Sequence, residues 1–93
     1  MMYLIGEARN VIQVKRTYKD QSWIETTLKV ELENGSDILL QLNKEMNTDE
    51  NILFLKTLKG SKIKCQFWNR VNAKDNKVYS TYYIVELPSI CGK

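Results

Sequence analysis

No histidine occurs anywhere in the chain. Its absence excludes His-based catalytic triads, imidazole acid–base chemistry and histidine metal sites. The two cysteines, Cys65 and Cys91, are too few for a disulfide scaffold and lack the paired spacing of a zinc site. Cys65 falls between Ile63 and Phe67 at strand spacing and reads as a buried free thiol. Cys91 lies among the last residues, where it could oxidise between chains. With four glycines and one proline, the chain has no phosphate-cradling glycine loop. No apolar run approaches the roughly 20 residues that cross a bilayer, so no membrane association is expected. The opening Met-Met-Tyr-Leu-Ile-Gly-Glu carries no basic stretch and reaches an acid at Glu7. A secretory signal is therefore not expected, and a reducing cytoplasm is the expected location.

What is present is one domain's worth of chain. Its 93 residues are 43% hydrophobic and 27% charged, ordinary values for a folded protein. A chain of this length hides roughly 60–65% of its unfolded surface, enough for a single core. We expect one domain over residues 1–88 and a loose tail over 89–93. The net charge of +3 is unevenly placed. Residues 1–58 hold 7 basic and 9 acidic side chains, while residues 59–93 hold 7 basic against only Asp75 and Glu86. A local excess of +5 can attract a polyanion where the global figure would not. It is equally what a solvated lysine-rich surface looks like.

Residues 3–18 read as a long strand, with Gly6 marking a bulge or bend. A polar turn follows at Lys19-Asp20-Gln21-Ser22. From Trp23 to Glu33 the alternation is clean: Ile24, Thr26, Leu28, Val30 and Leu32 share one face, Glu25, Thr27, Lys29, Glu31 and Glu33 the other. Asn34-Gly35 is a strong hairpin signal, and Asp37–Leu42 returns with Ile38, Leu40 and Leu42 inward. Asn47, with Glu50 three residues on, has the spacing of a helix cap. It predicts about eleven or twelve helical residues, ended by Gly60. Ile52 and Leu55 mark the apolar face, broadened by Leu53, Phe54 and Leu58. Ser61–Val71 reads as the fourth strand, 72–76 as a turn and Lys77–Leu87 as the fifth strand, stopped by Pro88. Ile63, Cys65, Phe67 and Val71 would point inward from the fourth strand, and Val78, Tyr82 and Ile84 from the fifth. Tyr79 and Tyr83 have the opposite parity.

The order is β-β-β-α-β-β, a mainly β class in which closure of five strands into a barrel removes exposed edges. In this order, in the placement of its helix, and in the stretches Asn10–Lys19 and Ile24–Leu32, the chain resembles the OB-fold family. Within that family it is most similar to the small single-stranded DNA-binding proteins of bacteria, plasmids and phages. The resemblance covers residues 3–87. It implies a five-stranded OB-like barrel whose loops between strands one and two, and four and five, frame a ligand groove.

Single strands are held by cations along the phosphates and by aromatic faces under the bases. Basic residues interleaved with aromatics occur in three places: Arg16, Tyr18, Lys19 and Trp23; Lys62, Lys64, Trp68 and Arg70; and Arg70, Lys74, Lys77 and Tyr79. The first and third fall on the two groove-framing loops. The second fits less well, as a path around the molecule or a subunit contact. Trp23 has two readings, the start of a core face or a surface platform. Trp68 lies on the charged face of its strand, exposed or at an interface. The acids across the second strand would repel a phosphate chain lying flat on that sheet. Scattered carboxylates without an apolar setting suggest no catalytic residue, and neither a metal nor a cofactor is expected.

The expectation is thus binding of single-stranded DNA, or RNA, without strong sequence preference, in a homo-oligomer paired through Met1–Ile5. The alternative is a protein-interaction module, such as a replication accessory or assembly subunit, with the same aromatics as anchors.

Overall fold

The computed structural model describes residues 2–91; within them the side chain of Lys74 lies outside the description. Six strands and one helix follow in the order β1 (Met2–Tyr18), β2 (Gln21–Leu32), β3 (Asp37–Gln41), α1 (Asp49–Thr57), β4 (Lys62–Lys74), β5 (Lys77–Ile84) and β6 (Ser89–Ile90). The sheet runs β1-β2-β3-β5-β4, and β4 pairs back onto β1. Five strands therefore close into a ring. All its pairings are antiparallel except β3–β5.

Closure is made by β1, which is long enough to serve two partners. Met2–Glu7 pairs with β4, and from Gly6 onward the strand pairs with β2. Gly6 belongs to both ladders. A Cβ there would sit 2.6 Å from the Glu31 carbonyl oxygen and 2.7 Å from Val30 Cγ1. The glycine thus permits a close approach of two strands, while the expected irregularity lies further on, between Ala8 and Val11.

The core fills the ring with Leu4, Ala8, Leu28, Val30, Leu40, Leu42, Ile63, Cys65, Phe67 and Ile84. These are the inward positions that alternation predicts for β2, β3 and the start of β4. Helix α1 adds Leu55 and Leu58, both 1% exposed, with Ile52 partly buried. Leu53 and Phe54 do not broaden that face. They are 64% and 38% exposed, because a nine-residue helix lying on one end of the ring buries a narrow stripe.

The helix is capped by Thr48 and not by Asn47. Thr48 Oγ1 accepts from the Asn51 backbone N–H at 3.2 Å. Asn47 is engaged elsewhere: its Oδ1 accepts from the Thr26 hydroxyl at 2.8 Å and its Nδ2 donates to the Ile24 carbonyl at 2.6 Å. Gly60, at φ 84°, takes the left-handed conformation after the helix, and its N–H donates to the Ala8 carbonyl.

The end of the chain departs from the expected loose tail. Ser89 and Ile90 form β6 on β4, and the Cys91 N–H donates to the Lys62 carbonyl at 2.7 Å. Of the expected oligomer edge, Met1 lies outside the described residues, and Met2–Ile5 is already paired with β4 on one side. No helix among the described residues is long and apolar enough to cross a membrane.

Two hairpins outrun the core. The β1–β2 ladder continues to Tyr18 opposite Gln21, and the β4–β5 ladder to Lys74 opposite Lys77. Both close on two-residue turns: Lys19-Asp20, with Lys19 at φ 55°, and Asp75-Asn76, with both residues at positive φ. The expected longer turns contract to these pairs, and the released residues extend the strands. Among the described residues nothing packs over the arms, so Ile24, Val71 and Val78 have inward parity yet are 45%, 57% and 70% exposed. The molecule is correspondingly elongated, 46 × 30 × 21 Å.

Candidate functional site

Between the roots of the two arms runs an open groove of about 1020 Å³. One wall is the β4–β5 hairpin, the other the start of β2, and the floor and far end come from Gln41 to Asn47 and the first turns of α1. The groove's shape depends on the segment between β3 and α1 being held down. Asn47 does this through its two hydrogen bonds to β2, aided by the Leu42 N–H, which donates to the Thr26 carbonyl at 2.9 Å.

The β4–β5 register decides what that wall displays. Residues directly opposite in an antiparallel ladder share a face. Trp68 faces Tyr83, Arg70 faces Thr81, and Asn72 faces Tyr79, on every second rung and so on the same side, with Lys77 beyond them at the tip. Trp68 and Tyr83 are stacked, with ring centroids 5.3 Å apart and planes at 23°. One residue earlier, on the core side, Phe67 meets Tyr82 edge-on at 5.7 Å. The outer pair is thereby mounted on the ordered inner pair. Trp68 remains 42% exposed beside the Tyr83 ring that covers one of its faces, and Tyr79 is 53% exposed.

The opposite wall carries Trp23, 48% exposed, directly across the ladder from Arg16. This resolves the two readings of Trp23: it is a surface residue. Arg16 makes a two-point ion pair with Glu25, Nε to Oε2 at 3.2 Å and Nη2 to Oε1 at 3.4 Å. Tyr18 and Lys19 sit at the tip, the ammonium 5.5 Å from the ring centroid.

Trp23, Trp68 and Arg70 therefore line one groove, with Arg16 joined to it through Glu25. Tyr79 and Lys77 continue the Trp68 face outward. Lys74 pairs with Lys77 through its backbone, and its side chain lies outside the described residues. Lys62 and Lys64 do not join the groove. They belong to the half of β4 flanked by β1 and β6, and Lys64 Nζ lies 4.9 Å from the Tyr3 ring centroid.

Most of the groove lining was not among the candidates, including Tyr83, Glu25, Gln41 and Asn47. Tyr83 had the right parity in the sequence. Gln41 and Asn47 carry no local signal, since their place depends on the β3–β5 pairing and on the clip to β2.

The charges divide in a way that bears on ligands. Four of the nine acids of the first half are paired: Arg9 with Glu7 and Glu31 at 2.7 and 2.8 Å, Arg16 with Glu25, and Lys29 with Asp37 at 3.5 Å. The hydrogen bond to Glu31 raises the Arg9 pKa above its ordinary value. Among the described residues, no carboxylate lies within 4.0 Å of Lys62, Lys64, Arg70 or Lys77. Among the described residues, the cations of β4 and β5 therefore make no ion pair, and neither do Lys15, Lys19, Lys44, Lys56 and Lys59. The groove lining holds Arg70 and Lys44 beside two carboxylates, Asp49 and Glu25, the latter already paired with Arg16. No cluster of metal-ligating side chains occurs among the described residues.

Comparison with family models, with curated proteins and with solved structures finds no match to this chain.

Proposed function

We propose that the chain binds single-stranded nucleic acid, DNA in the first instance, in the groove between the two arms. The observation that carries this is the face of β4–β5, on which a stacked Trp68–Tyr83 pair, Arg70, Tyr79 and Lys77 succeed one another within a single ladder. Open aromatic faces interleaved with unpaired cations are what stacking on bases and tracking of phosphates require. Trp23 on the facing wall supplies a second platform. The ring order β1-β2-β3-β5-β4, with the helix between β3 and β4, supports an OB-like barrel as the scaffold. Exposed Met2, Tyr3 and Ile5 support an oligomer in which neighbouring copies extend the bound strand.

The test is a tryptophan fluorescence titration with mixed-sequence single-stranded oligonucleotides at low and raised salt. Binding in the groove quenches Trp23 and Trp68, and affinity falls steeply as salt rises. Flat fluorescence at low salt contradicts the proposal.

A protein-interaction module is the second reading, and Leu53 and Phe54 favour it, standing exposed on α1 away from the groove. It predicts a partner retained at high salt and released by Leu53→Asp.

A further inference from the structure

We infer that Glu25 reads the edge of a bound base, favouring bases that present an amino group there over thymine and uracil. This rests on the nucleic-acid reading above and adds a preference to the tolerance of stacking.

The starting point is the charge balance of the groove. Arg70 lies on the β4–β5 wall, while Asp49 and the Arg16-paired Glu25 lie on the other sides, so a phosphate is drawn toward the β4–β5 side and away from the carboxylates. The unpaired cation of the β4–β5 tip, Lys77, lies outside the groove lining. A strand satisfying both regions keeps its phosphates toward the β4–β5 arm and turns its bases toward the β2 wall. Phosphate contacts then position the strand, and contacts at that wall choose the base.

Glu25 is built for that contact. It shares a face of β2 with Trp23, two residues away, and Thr27, its neighbour on that face, pairs with Gln41. Its carboxylate is 23% exposed and held by Arg16 through both oxygens. A carboxylate offers about four acceptor positions, and Arg16 takes one on each oxygen. What remains toward the groove is acceptor only. Gln41, with one donor group and one acceptor, stands diagonally across and makes no side-chain hydrogen bond among the described residues.

An acceptor-only group discriminates between the pyrimidines. Cytosine presents its N4 amino donor, which a glutamate accepts. Thymine and uracil place the O4 acceptor at that position, so two acceptors face each other with both desolvated. Stacking area and backbone hardly differ between these bases. Arg16 acts here as a positioning residue that fixes the carboxylate plane.

The experiment compares binding of (dC), (dT) and (dU) oligonucleotides of equal length, about ten nucleotides, at neutral pH by tryptophan quenching. The wild-type chain binds (dC) about tenfold more tightly than (dT) or (dU), the size of one good base-edge contact. Equal weakness of (dU) and (dT) excludes the thymine methyl as the cause. Glu25→Gln, which adds a donor that can meet O4, brings the ratio to about one; circular dichroism verifies that the variant is folded. Equal wild-type affinities, or tighter binding of (dT), overturn the role of Glu25 and leave the nucleic-acid reading standing. If none of the three oligonucleotides quenches, that reading falls and this inference with it.

Discussion

The Cys65 thiol sits in the core at 1% exposure, and burial pushes its pKa from 9.0 up to about 12. The sign of the linkage follows. In the unfolded chain the thiol ionises from about pH 9, while the folded state keeps its proton until about 12. The contribution of the neutral thiol is complete below pH 9 and is lost as pH rises through that window. Chemical unfolding between pH 8 and 10.5 should show a steeper loss of stability in the wild type than in Cys65→Ala. Parallel slopes would show that the thiol is not linked to folding. Gly6 makes a second residue-scale prediction. Gly6→Ala places a methyl against the Glu31 backbone, which cannot retreat without opening the ladder. A loss of roughly 1–3 kcal/mol, the usual cost of overpacking, is expected in urea denaturation.

Elements were legible in the sequence where a local pattern decided them. The alternation from Ile24 to Leu32 assigned the faces of β2, and all of Thr26, Leu28 and Val30 are buried as it required. Asn34-Gly35 marked its hairpin, with Gly35 at φ 86° and Asn34 Oδ1 accepting from the Ser36 N–H. Misreadings arose where tertiary partners override local chemistry. Asn47 is a good cap residue, but Thr26 and Ile24 compete for its side chain and Thr48 takes the role. Thr48→Ala should accordingly cost about 1 kcal/mol, and Asn47→Ala should weaken the groove as well as the fold. Val71 and Val78 were read as core because parity cannot tell how far a layer extends, and the arms run past it. Gln41 reaches the candidate site only through the β3–β5 crossover, which no single-sequence periodicity reports. Lys62 and Lys64 alternate in step with Trp68, yet the change of partner from β1 to β5 along β4 sends them to another surface. Removing Trp68 should cost about 1–3 kcal/mol of binding per stacked base. Lys62→Ala and Lys64→Ala should change affinity far less.

Across the whole molecule, the net charge of +3 conceals two regimes. Among the described residues, Arg9, Arg16 and Lys29 take up Glu7, Glu31, Glu25 and Asp37, while the cations along β4 and β5 make no ion pair. The acidic face of β2 is thereby less repulsive than its composition suggests, and the arms leave a route between them. Each cation engaged with a phosphate contributes about 0.7 to the salt slope for single strands, so Arg70→Ala should lower that slope by about that amount. The central claim concerns place as much as ligand, and amide chemical-shift mapping with single-stranded DNA tests both together. The account predicts perturbations centred on Trp23, Gln41, Trp68, Arg70 and Tyr83, with the Leu53–Phe54 face of α1 unchanged. Perturbations gathered on α1, or on the Lys62–Lys64 surface with the groove silent, would contradict it.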